Sequence, residues 1–160
     1  MSRRVCGCLI LLLAVLPGVA TAQKLTLTLN SGSPVAFPNA TEADYDAGFV
    51  AATSPLAFTV DLNSGPPGTS RTTIVSIRAS SAVMGGTKPI SDLQWRRNDL
   101  GTWNGLTTSN VTVESRPIKR NALNDPWSNS ILFRTLLSWS TDGPATYAPT
   151  IVLTVTLTTP

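Results

Sequence analysis

Apolar and polar residues alternate one by one in seven stretches of the chain. Leu25, Leu27 and Leu29 alternate with Thr26 and Thr28. Leu56, Phe58, Val60 and Leu62 share a face opposite Thr59, Asp61 and Asn63. Val75, Ile77 and Ala79 fall together, as do Leu93 with Trp95 and Val111 with Val113. Ile131, Phe133, Leu137 and Trp139 oppose Arg134, Ser138 and Ser140. Ile151, Leu153, Val155 and Leu157 oppose Thr150, Thr154, Thr156 and Thr158. Successive side chains of a strand point to opposite faces, so this period of two predicts strands with one dry and one wet face.

Turn formers separate these runs: Asn30–Pro34, Asn63–Gly68, Gly85-Gly86, Asn98–Gly101 and Asp142–Pro144. With no helical stripe of any length, the pattern predicts an all-β chain, a single immunoglobulin-like antiparallel β-sandwich of about 7 to 9 strands. Thr41-Glu42-Ala43-Asp44 is the one candidate helical turn, with Thr41 as its cap. The first and last strands, Lys24–Asn30 and Thr150–Thr158, share one alternating pattern. In immunoglobulin-like sandwiches the first strand lies parallel beside the last, and that adjacency is expected here.

The N-terminus changes how the totals are read. Arg3 and Arg4 precede an eight-residue apolar run, Leu9–Leu16, followed by Pro17-Gly18 and the small residues Ala20-Thr21-Ala22. This is the layout of a signal peptide cleaved after Ala22, so 1–22 is expected to be removed and 23–160 to form one β-sandwich domain. Eight residues fall well short of the roughly 20 that span a bilayer, and Cys6 and Cys8 precede the apolar run, where a lipidated cysteine would follow it. The expected location is secreted, periplasmic or at the cell surface, with no transmembrane segment after cleavage. The mature 138 residues contain neither cysteine nor histidine, and 10 basic side chains face 9 acidic ones. Stability must therefore come from core burial rather than disulfides. A near-neutral balance gives no reason to expect a nucleic-acid partner.

Those absences exclude much chemistry. Ser–His–Asp and Cys–His hydrolysis need an imidazole to take the nucleophile's proton. Lys24, Lys88 and Lys119 are read as terminal or loop residues, unsuited to act as a Ser–Lys base. Glycosidase chemistry needs two carboxylates across a sugar, and most acidic residues fall in turns or on outward faces. Glu42, Asp44 and Asp46, if extended, would project three carboxylates to one side. That set suits Ca²⁺, the one cofactor considered, or else is an acidic surface loop. Trp95 and Trp139 are read as core residues on inward strand faces. Trp103 and Trp127, in loops, are the candidates for stacking on a sugar, against the alternative of plugging the end of the sandwich. Arg96-Arg97 and Arg116 with Lys119-Arg120 are short basic clusters suited to solvated strand ends or to an anionic polymer.

The tail Asp142-Gly143-Pro144-Ala145-Thr146-Tyr147, followed by Ile151-Val152-Leu153-Thr154-Val155-Thr156, resembles the last hairpin of bacterial secreted sandwich subunits. It is similar to the "GTY…TVTVT" ending of spore-coat-U and fimbrial-like proteins, which usually carry cysteines in the mature domain. The resemblance implies an extracellular, non-catalytic, assembling subunit. Three functions are carried forward. The first is a secreted structural or interaction protein that self-associates, in the manner of a cell-surface or fimbrial-like subunit. The second is a small module binding carbohydrate or cell-wall polysaccharide, and the third a carboxylate-dependent hydrolase.

Overall fold

The structure, a computed structural model, describes residues 24–63, 65, 68–142 and 147–158. The expected signal peptide and its cleavage point lie outside these residues. In chain order the elements are β1 (Leu25–Ser31), α1 (Glu42–Ala47), β2 (Phe49–Ala51), β3 (Leu56–Leu62), β4 (Arg71–Ala79), β5 (Val83–Gly85) and β6 (Lys88–Pro89). A 3₁₀ turn (Ile90–Asp92) follows, then β7 (Leu93–Arg97), β8 (Asn104–Gly105), β9 (Val111–Ile118), β10 (Trp127–Leu136) and β11 (Ile151–Thr158). The longer strands fall on the alternating stretches. β2, β5, β6 and β8 are pairings of two or three residues, too short for alternation to register.

The chain is all-β, built from antiparallel sheets. One sheet has the order β1-β3-β10-β7-β8, with β2 also on β10; a second has the order β11-β4-β9; β5 and β6 form a separate hairpin. The two larger sheets share one hydrophobic core. Phe58 and Val60 of β3, Val75 and Ile77 of β4, Ile118 of β9 and Ile131 of β10 are all 0% exposed. Burial of each such side chain stabilises the fold by about 1.5–3 kcal/mol. β3 alternates buried and half-buried along its whole length, as its sequence predicts. So does β4, where the buried polar residues Arg71 and Thr73 extend the predicted dry face of Val75, Ile77 and Ala79.

The first and last strands do not pair. β1 pairs with β3 and β11 with β4, both antiparallel, so the two ends of the chain fall in different sheets. They lie near one another as facing edges. Alternation fixes which face of a strand is dry, but carries no term for which strand becomes its neighbour. β11 matches β4 residue for residue, from Ile151↔Ala79 to Thr158↔Thr72, with Leu153 opposite Ile77 and Val155 opposite Val75. These apolar cross-strand pairs favour that partner.

Trp139 is a second correction. The pattern through Phe133, Leu137 and Trp139 places it in the core, but β10 ends at Leu136 and Trp139 is 62% exposed. The Leu137 N–H bonds to Gly48 O at 2.9 Å, and residues 138–142 then fold into a turn closed by Ser138 N–H to Asp142 Oδ2 at 2.8 Å. Thr135, polar by type, takes the inward position instead and is 7% exposed.

The helical turn forms as expected. Thr41 Oγ1 accepts from Asp44 N–H, and the Asp44 carboxylate accepts the Thr41 N–H at 2.8 Å, a reciprocal capping box. Gly48 ends the helix at φ +76°, where a side chain would be strained.

Candidate functional site

The two sides of the paired sheets differ. On the β9 side, Glu114 is 4% exposed, and its carboxylate is held by Arg116 of the same strand, by Arg97 of β7 at 3.6 Å and by Asn129 of β10 at 2.7 Å. Arg97 also holds Asp99. These bonds tie one sheet to the other. β9 also carries Pro117, charged side chains and a bulge in its register with β4, the features that blunt a strand edge against further pairing.

The opposite side is open and apolar. There the sheets end in β1 and β11, and between them lies a cavity of about 1130 Å³. Leu27, Leu29, Val35 and Phe37 line one wall, Ile151 and Leu153 the other, with Leu56, Met84 and Leu93 of the core also reaching it. Residues that alternation assigns to the dry face are only half covered here. Ile151, Leu153, Val155 and Leu157 are all half-buried, and Leu29 is 45% exposed. Among the described residues no strand pairs with the outer edge of β11. That edge has no proline, charge or bulge between Ile151 and Thr158. At about 3.3 Å per residue the eight residues offer an edge of about 26 Å. The cavity exceeds the roughly 300–1,000 Å³ of ordinary small-molecule pockets. The cavity reaches this edge at Ile151, Val152 and Leu153; apolar walls beside an unpaired backbone edge are suited to an extended chain.

A buried charge cluster stands at one end of the groove. The Lys88 side chain is 3% exposed and donates to Asp142 at 2.7 Å and Asp92 at 3.0 Å. Asp142, 8% exposed in its side chain, also lines the groove, and its carbonyl accepts the Tyr45 hydroxyl at 3.2 Å. The cluster fastens β6, the 3₁₀ turn and α1 to the segment leading towards β11. Burial alone would lower the Lys88 pKa; the hydrogen bonds and charges of Asp142 and Asp92 outweigh it and raise it. Lys88 is thus a buried ion-paired residue rather than the loop lysine its sequence context implies.

The other candidate residues are dispersed. Trp127 is not in a loop: it is the first residue of β10, 4% exposed, edge-on to Phe58 with centroids 5.8 Å apart, and donates to Thr73 Oγ1 at 3.2 Å. Trp103 lies beside β8, half-buried, with the Arg96 and Arg134 guanidiniums over its ring at 5.0 and 4.4 Å. Those cations occupy ring surface that a sugar would need. The two tryptophans therefore do not form one platform.

Glu42, Asp44 and Asp46 lie on α1 rather than on an extended segment, so side chains two apart turn to different sides of the helix. Asp44 is engaged by Thr41, and Asp46 accepts the Trp139 indole N–H at 3.1 Å. Among the described residues no group of three or more acidic side chains is arranged to hold a metal ion. The geometry that suggested calcium is absent. Asp61 and Asp125 are close enough to interact. Desolvation, then the charge of Asp125, raises the Asp61 pKa. Asp125, however, accepts from the Leu62 and Asn121 backbone N–H groups, one on each oxygen, and so holds a turn.

Among the described residues no helix is long and apolar enough to cross a membrane. Compared with family models, curated proteins and solved structures, the chain matches none.

Proposed function

We propose that this chain is a secreted, non-catalytic, immunoglobulin-like β-sandwich with a structural role, and that its open β1/β11 side takes up an extended apolar segment of a neighbouring copy. One observation carries this reading: the apolar groove of about 1130 Å³ between the β1 and β11 edges, on the side that lacks the Arg97–Glu114 closure. A segment with apolar residues at every second position would add main-chain hydrogen bonds to β11. It would also cover Leu27, Leu153 and their neighbours. Burying half-exposed apolar walls stabilises such a join by roughly 25 cal/mol per Å² of apolar surface removed from water, before the entropy of association is subtracted. The absence of histidine and mature cysteine supports a non-catalytic role.

Size-exclusion chromatography with light scattering over a concentration series tests the reading. The mature protein is expected to form dimers and larger species. Leu153→Asp should remain monomeric with an unchanged β-sheet circular dichroism spectrum, because its side chain is only half-buried in the single copy. A wild-type protein that stays monomeric at high concentration, or a folded Leu153→Asp variant that assembles equally well, would refute it.

A further inference from the structure

Trp139 is the one tryptophan that the described fold leaves largely in water, at 62% exposure, and it is not loose. It stacks on Tyr45 of α1 with centroids 4.6 Å apart and planes tilted by 30°. Its indole N–H is fixed to Asp46 Oδ1 at 3.1 Å. Its backbone sits in the 138–142 turn, closed by Ser138 N–H to Asp142 Oδ2 at 2.8 Å, Asp142 N–H to Ser138 O at 3.0 Å, and a Ser138–Ser140 hydroxyl contact of 3.0 Å. Tyr45, beneath it, is fixed through its hydroxyl to Asp142 O. Exposing a large indole forgoes the stabilisation its burial would bring. Fixing its plane from two elements adds an ordering cost that a merely solvated side chain does not incur.

We propose that Trp139 is the platform of a carbohydrate site that takes a neutral hexopyranose unit of a polysaccharide. Tyr45 occupies one side of the indole, and among the described residues it is the only ring or cation partner Trp139 has. A pyranose whose axial C–H bonds gather on one face presents a flat, weakly positive apolar surface, complementary to the negative π-face of an indole. The rim supplies hydrogen-bonding groups for the sugar hydroxyls. Asp46 carries a second carboxylate oxygen, Ser140 and Thr141 are exposed hydroxyls, and Glu42 stands one helical turn before Asp46 on the same side of α1. Two carboxylates at the rim select against anionic polymers, so the ligand class is neutral. Because the ring is already oriented, binding loses little side-chain entropy. The site does not depend on strand uptake in the β1/β11 groove.

Affinity gel electrophoresis of the mature protein tests this, with a soluble neutral β-glucan, a soluble neutral α-glucan and polygalacturonate each cast in the gel. Tryptophan fluorescence titration with the same polymers provides a second readout. At least one neutral polymer should retard the wild type and polygalacturonate should not. Trp139→Ala should lose about tenfold or more in affinity, the scale of truncating a binding anchor. Trp139→Phe should fall between, and Trp103→Ala should match the wild type. Thermal unfolding of Trp139→Ala should be close to wild type, since the side chain is outside the core. The proposal is overturned if neither neutral polymer retards the wild type, if retardation survives in Trp139→Ala, or if polygalacturonate alone binds. A Trp139→Ala protein that loses only self-association would assign the indole to a protein contact instead.

Discussion

The Trp127 indole N–H donates to Thr73 Oγ1 at 3.2 Å, and the Thr73 hydroxyl donates in turn to the Arg116 carbonyl at 3.0 Å. Trp127 belongs to β10 and Thr73 to β4, so a polar chain crosses the core from one sheet to the other. Thr73 is 0% exposed, which leaves water no access to repair the chain. Thr73→Val keeps the shape but strands a buried indole N–H, and should cost about 1–3 kcal/mol by urea denaturation. Adding Trp127→Phe removes the stranded donor. The double variant is therefore expected to lose less than the sum of the two single variants.

Lys88 is expected to matter more than its formal charge suggests. Lys88→Met leaves Asp142 and Asp92 without their cation inside the fold, and removing one partner of a buried pair costs about 3–5 kcal/mol. The pH dependence has a definite sign. The folded Lys88 pKa lies above its ordinary value, so its contribution is fully present below that ordinary value. It is lost only as pH rises through the raised folded value. Thermal midpoints of wild type and Lys88→Met should therefore differ by a constant amount through neutral pH and draw together in strong alkali.

Gly32 stands where β1 leaves β3, at φ +73°. A Cβ there would lie 2.2 Å from the Pro55 carbonyl oxygen and 2.9 Å from Leu56 Cα. Gly32→Ala combines a left-handed backbone with a clash against main chain, and should cost about 2 kcal/mol or more. Gly86, at φ +57° with nothing within 4 Å, carries only the backbone strain, so Gly86→Ala should cost about 1 kcal/mol. The gap between their urea midpoints measures the close approach of β1 to the start of β3.

Asp44 provides an acid-side test. The side-chain and backbone hydrogen bonds to Thr41 hold its pKa below the ordinary carboxylate value. The capping box is therefore present above that ordinary value and is lost as pH falls through the lowered one. An NMR titration should place the Asp44 midpoint lower in wild type than in Thr41→Ala. The Thr41→Ala variant should also show faster amide exchange at Asp44, whose N–H the Thr41 hydroxyl accepts.

The strands were legible because alternation is a local property. Leu56–Leu62 and the stretch 75–79 read the same in sequence and in burial, whereas the buried Arg71 and Thr73 carry no apolar signal. Thr41 was legible as the helix cap too, since the N–H it accepts is only three residues along; the reciprocal bond to the Asp44 carboxylate came from the structure. Trp139 misled because the turn that removes it from β10 is closed by Asp142, Gly48 and α1, and none of these contacts is visible from the alternation of 131–139. Trp127 misled in the opposite sense. Its neighbours Pro126 and Asn124 are turn formers, yet the ring is drawn inward by Phe58 and Thr73 from other strands. Lys88, beside a proline, gave no sign of the buried carboxylates that hold it.

By itself the sequence determined most of the period-two strands, their dry faces and the exclusion of histidine-based catalysis. These follow from residue types and spacing that any single strand carries within itself. Only the tertiary structure decided which edges meet. It bound β9 to β7 and β10 through Glu114 and Arg97, and left β1 and β11 facing across an apolar groove. Strand pairing, sheet closure and the exposure of Trp139 depend on contacts between residues far apart in the chain, and alternation along one strand carries no record of them.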